Sequence, residues 1–174
     1  LIHSVGDEGG FAPNLFTNKD ALEVLQETIT ASKYKPHRDV FLGLDTAANH
    51  FFQGNQYTLK DSAQPFNARG LIDFYKQLVE EYHLLTLEDP LQEDDWDSWV
   101  ELTLRAGKSI SVVGDDLFST NLARLREGIA MQAANAISIK PNQVGTLSET
   151  LETIREARLH DVHAMISHRA GETE

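Results

Sequence analysis

The sequence predicts an α/β fold of parallel strands alternating with helices, about five strand–helix units of a partial (β/α)8 barrel. Three observations predict it. Short apolar or β-branched runs alternate with amphipathic stretches of helical length. Each run ends in a polar residue. Those polar ends recur at one-unit spacing: from Glu88 to Asp115, then to Lys140, then to His168, the steps are 27, 25 and 28 residues.

The elements follow in order. Gly6 to Asn14 (GDEGGFAPN) precedes any strand, and its glycines around two acids predict a tight loop with special backbone angles. Lys19 to Lys33 predicts a helix whose Ala21, Leu22, Val24, Leu25 and Ile29 share one side. Thr17 with Asp20 is the expected cap at its start. Val40 to Thr46 predicts the first strand. Phe51 to Leu59 then predicts a small hairpin turning at Gly54-Asn55. A helix over Ala68 to Tyr82 carries an apolar face of Leu71, Ile72, Phe74, Tyr75 and Leu78. Strands over Leu84 to Glu88, Ile110 to Gly114, Ala136 to Lys140 and Val162 to Ser167 alternate with helices over Asp95 to Ala106, Asn121 to Gln132 and Leu147 to Leu159. Asp94 or Asp95, Thr120 or Asn121, and Thr146 with Glu149 are the expected caps, the last as a capping box. Trp96 and Trp99 read as packing residues.

Composition narrows the function. The chain has 174 residues and a net charge of −12, with 27 acidic and 15 basic residues, so nucleic acid is a poor expectation as ligand. A small phosphorylated substrate needs only a few local cations or a metal. There is no cysteine, which excludes disulfides, thiolate zinc sites and a cysteine nucleophile. No apolar run approaches the roughly 20 residues of a membrane-spanning helix. Eight units would need roughly 250 residues, so the sequence reads as a piece of something longer.

The strand ends carry the chemistry. In a parallel barrel the C-terminal ends of the strands ring one face, and that face holds the active site. Here they offer Asp45, Glu88 with Asp89, Asp115 with Asp116, Lys140, and Ser167-His168-Arg169. Any one acid in such a place is more simply a cap for the next helix. Three in succession would repel unless a hard divalent cation such as Mg²⁺ sits among them. Asp89 and Asp116 read as caps or as supports behind the ligands. Lys140 reads as a general base or as a cation for an anionic substrate, against the plainer reading of a lysine reaching out of the barrel mouth.

The segments SVGDEGGFAPN (Ser4 to Asn14), LGLDTAA (Leu42 to Ala48), LEDPLQEDDW (Leu87 to Trp96), VGDDLFSTN (Val113 to Asn121), IKPNQVGTLSET (Ile139 to Thr150) and SHRAGETE (Ser167 to Glu174) together resemble the enolases, glycolytic phosphopyruvate hydratases. The resemblance runs end to end. It implies a barrel of the enolase superfamily, with residues 1–174 supplying its third to seventh strands. An N-terminal domain and the last barrel strand would lie outside the chain. The activity implied is reversible dehydration of 2-phosphoglycerate to phosphoenolpyruvate. The metal triad falls on Asp45, Glu88 and Asp115, with two Mg²⁺ per site during turnover. The base falls on Lys140, the glutamate that assists departure of the hydroxyl on Glu8, and the substrate contacts on Ser167, His168 and Arg169. The resemblance also implies a cytoplasmic homo-oligomer, with a cell-surface or secreted pool in some members. Two departures stand out: Ala170 where the family usually has Ser, and Asn49-His50 where it typically has Ser-Glu. An acid-sugar dehydratase or racemase of the same superfamily would lack the GDEGG and SHRxGE segments. A non-catalytic truncated enolase acting as a protein-binding surface is the alternative of a different class.

Overall fold

The structure is a computed structural model and describes residues 4–6 and 9–169. Its elements are α1 (Asn18–Ala31), β1 (Gly43–Asp45), a 3-10 turn (Ala48–Phe51), β2 (Phe52–Gln53), β3 (Gln56–Tyr57), α2 (Ala68–Tyr82), β4 (Thr86–Glu88), α3 (Trp96–Ala106), β5 (Ser111–Gly114), α4 (Leu122–Met131), β6 (Ala136–Ile139), α5 (Pro141–Val144), α6 (Leu147–Leu159) and β7 (His163–Ile166). Every predicted strand and helix is present. The hairpin β2–β3 turns at Gly54 and Asn55, both with positive φ (58° and 62°), the twist that suits a two-residue hairpin loop.

Five strands form one parallel sheet in the order β1-β4-β5-β6-β7. That order never reverses. The helices lie side by side in chain order, α2 on α3, α3 on α4 and α4 on α6. A doubly wound sheet would reverse its strand order and place helices on both faces. A single winding direction with one helical layer is the geometry of a barrel wall.

Local chemistry sets the boundaries. Thr17 and Asp20 make the reciprocal capping box of α1. Asn67, Asp95, Asn121 and Thr146 cap α2, α3, α4 and α6 by accepting main-chain N–H bonds. Helix α1 stops at Ala31 rather than Lys33 because the Ser32 N–H and hydroxyl turn back to the carbonyls of the last turn. The short α5 is an addition that periodicity could not supply. Pro141 starts it and Gly145, at φ 88°, ends it.

The core lies between sheet and helices. Leu87, Val112, Ile137 and Ile139 point outward into it, where they meet Leu71, Ile72, Leu78, Trp99, Leu102 and Leu125. Burying each such side chain contributes roughly 1.5–3 kcal/mol. The α1 face is covered less completely than its pattern suggests: Leu22 is buried, whereas Val24 and Leu25 remain exposed. Among the described residues, no helix is long and apolar enough to cross a membrane.

Gly128 lets α4 approach Phe118 closely. A Cβ there would lie 2.4 Å from a ring carbon of Phe118, which is itself buried. Gly128→Ala should therefore cost up to about 2 kcal/mol, because an overpacking penalty of about 1–3 kcal/mol is offset only in part by a helix-propensity gain of about 1 kcal/mol. A urea titration should show a lower midpoint at unchanged slope.

Candidate functional site

Successive strand residues alternate between the helical layer and the opposite face. Because Leu87 and Ile139 point into the core, Glu88 and Lys140 point the other way. The register aligns Asp45 with Glu88. An open cleft of about 300 Å³ lies there, lined by Asp45, Glu88, Ser138, Lys140, Met165, Ile166, Ser167 and His168. Four strand ends thus contribute to one cleft. Asp115, beyond β5, joins them through an ion pair with the Lys140 ammonium. The side chains of this pair are 14% and 11% exposed. The other Asp115 oxygen, Oδ1, is buried without a hydrogen-bond partner.

Lys140 is aimed by its local sequence. It precedes Pro141, which disfavours a helical conformation at residue 140 and keeps it extended at φ −128°. Its N–H donates to the Thr120 hydroxyl (2.9 Å), which in turn donates to Gln143 Oε1 (2.7 Å). Ser119 and Thr120 hold positive φ angles of 46° and 55°. Consecutive non-glycine residues in that region store strain, and here it sits directly behind the lysine.

Asp89 ties three strand ends together. Its carbonyl accepts from the Thr46 hydroxyl (2.6 Å) and the Ala48 N–H (3.0 Å), beyond β1. Its own N–H donates to the Val113 carbonyl on β5 (3.0 Å). Its two carboxylate oxygens accept the N–H groups of Asp115 and Asp116, each at 2.8 Å. It is 5% exposed and sits at φ 41°. Burial pushes its carboxyl from the ordinary 3.8 up to about 7, against the pull of the two amide donors and with help from the neighbouring Asp116 and Asp115 charges.

Further out, Asn49 bridges the loops. Its amide nitrogen donates to Glu93 Oε2 (3.1 Å) and Asp116 Oδ2 (3.0 Å), and its oxygen accepts the Glu93 N–H (3.1 Å). Arg124 donates to the Leu117 and Glu93 carbonyls and stacks on Trp96. The sequence marked Asn49 only as a departure from the family pattern and gave no sign of Arg124, because their partners Glu93 and Asp116 lie far along the chain.

Among the described residues, Asp89, Asp115 and Asp116 bring one carboxylate oxygen each within 4.8 Å of one another, a set that could hold a metal ion. Of the residues expected at the site, Asp45, Glu88, Lys140, Ser167 and His168 share the cleft and Asp115 adjoins it. Arg169 follows His168 and is half-buried. Glu8 lies outside the described residues. The loop that carries it is closed on itself by Gly6 N–H to Gly10 carbonyl (2.8 Å) and Ala12 N–H to Ser4 carbonyl (2.9 Å) bonds.

Residues 2–174 match the family described as enolase, C-terminal TIM barrel domain. The chain belongs to that family.

The buried Asp89 gives a pH signature. Unfolded, it ionises near its ordinary value; folded, only near 7. Between the two the folded state holds the extra proton, so this contribution is complete below about pH 4 and is lost as pH rises to about 7. In metal-free buffer, the melting temperature of the wild type relative to Asp89→Asn should fall across that window and level off above it.

Proposed function

From membership of the enolase C-terminal barrel family and from the make-up of this cleft, we propose that the chain forms part of a Mg²⁺-dependent hydro-lyase. It dehydrates 2-phosphoglycerate to phosphoenolpyruvate and catalyses the reverse hydration. The observation that carries the reading is the convergence of Asp45, Glu88, Lys140, Ser167 and His168 on one cleft, with Asp115 against Lys140. Residues 1–174 would make up part of the barrel domain, with the N-terminal domain and the last strand outside them. The intact protein would be a cytoplasmic homo-oligomer acting on a small phosphorylated substrate.

The donor set fits a hard cation. All three proposed ligands, Asp45, Glu88 and Asp115, supply carboxylate oxygen, the kind Mg²⁺ prefers. Asp115 has one buried oxygen with no donor and another neutralised by an ammonium, so it already sits where positive charge is required. Bound there, Mg²⁺ would stabilise the negative charge that builds on the substrate carboxylate when the carbon 2 proton leaves.

The remaining steps belong to the chain. Lys140 takes the proton from carbon 2 as the neutral amine, after giving up to solvent the proton it holds in its ion pair with Asp115. Glu8 gives a proton to the departing carbon 3 hydroxyl, which leaves as water. Arg169 holds the phosphate through its fork of donors. Ser167 and His168 contact the substrate and fix its pose.

The test is Mg²⁺-dependent formation of phosphoenolpyruvate by this chain and by the intact parent, each beside its Lys140→Ala form. The reading expects turnover in the parent and none in its Lys140→Ala form. A parent that is inactive, or one indifferent to Lys140, would overturn it. An active parent with an inactive chain would place the chemistry in the complete barrel. Mg²⁺ at about 100 times its dissociation constant should also add about 2.7 kcal/mol to the folded chain. Asp115→Asn should reduce that gain sharply, as read from the melting temperature.

A further inference from the structure

We propose that Asp89 is the positioning residue of the site: by gripping the main-chain amides of Asp115 and Asp116, it sets the direction in which Asp115 presents its carboxylate to Lys140 and to a cation. The cation half of this inference rests on the proposed metal site; the Lys140 half does not.

The geometry supports a grip rather than ligation. Both Asp89 oxygens already face N–H groups at 2.8 Å, on consecutive residues. The N–H, Cα and Cβ of one residue are rigidly related, so fixing the Asp115 N–H confines its carboxylate to a narrow set of rotamers. Asp89 is in turn fixed from behind. Its carbonyl is held by Thr46 and Ala48 and its N–H by Val113, so one residue couples the ends of β1, β4 and β5. The left-handed φ of 41° at an aspartate is the local cost of reaching all three at once. Asp115 and Lys140 then meet with both side chains mostly out of solvent.

The test compares the wild type with Asp89→Asn, an isosteric change that turns an amide donor toward one of the two main-chain N–H groups. Thr46→Val loosens the grip on the Asp89 carbonyl. Thr103→Val is the stability control, because its hydroxyl donates to the Ala133 carbonyl (2.6 Å) near the opposite ends of the strands. Two readouts are taken under conditions where each variant is folded. One is the rate of Lys140 acylation by acetic anhydride, mapped by mass spectrometry against the exposed Lys108. The other is Mg²⁺ affinity by calorimetry.

Freed from its partner, Lys140 in Asp89→Asn should label roughly tenfold faster, the scale of a lost charge-assisted hydrogen bond. Mg²⁺ affinity should fall roughly tenfold, as it does when a ligand loses its supporting group. Thr46→Val should move both in the same direction by less, and Thr103→Val should move neither while lowering the melting temperature.

Unchanged Lys140 labelling in folded Asp89→Asn overturns the inference. Loss of Mg²⁺ affinity alone makes Asp89 a ligand and also overturns it. An equal response in Thr103→Val reduces the effect to general destabilisation. If Asp89→Asn does not fold, unchanged labelling in Thr46→Val overturns the inference. If the wild type binds no Mg²⁺, the metal reading fails separately and Lys140 labelling decides the positioning role.

Discussion

Parallel strands end in open backbone, and the loops that follow must be held by something other than the ladder. Here the burden falls on Asp89, whose main chain and carboxylate together engage Thr46, Ala48, Val113, Asp115 and Asp116. A buried carboxylate facing two amide donors is an expensive group to desolvate and a strong acceptor once desolvated. The raised pKa of Asp89 records the first half of that balance and its two amide bonds the second. Asp115 and Asp116 are placed directly by this anchor.

Around the anchor, charge is distributed unevenly. The chain carries an excess of acid, and the rim concentrates it. Lys140 answers one carboxylate, Asn49 two others with a neutral amide, and Arg124 secures the loops from outside. Repulsion between nearby carboxylates is thereby met with several kinds of partner. The buried, unpartnered oxygen of Asp115 is where that compensation is incomplete, and it lies beside the cleft.

The helical layer supplies the rigidity. Trp99, Leu102, Phe118 and Leu125 are all buried behind the strand ends, and Gly128 lets α4 close on Phe118. Small displacements of the helices would shift the loops directly, since Trp96, the first residue of α3, packs against Phe118 of the β5–α4 loop. Stacking of Arg124 on Trp96 joins the two systems, so core packing and rim geometry are one structure.

The elements were legible in the sequence because their causes are local. Short apolar runs, an apolar spacing of about 3.6 residues, a capping Thr17 or Asn121, and the turn residues Gly54-Asn55 each act within a few residues. The row of polar strand ends was legible too, since one-unit spacing places them on a common face. Tertiary structure alone decided which of them touch. The Asp89 grip spans 26 residues, the Asn49–Asp116 bond 67, and the Lys140–Asp115 pair 25. Asp89 reads from the sequence as a cap or a support behind the ligands, but only the fold shows that it grips the Asp115 and Asp116 amides while Glu88 lines the cleft. Adjacent strand residues point to opposite faces, and only the folded register shows what waits on each. For the same reason the exposure of Val24 and Leu25 was invisible to a pattern that marks an apolar face but not whether anything covers it.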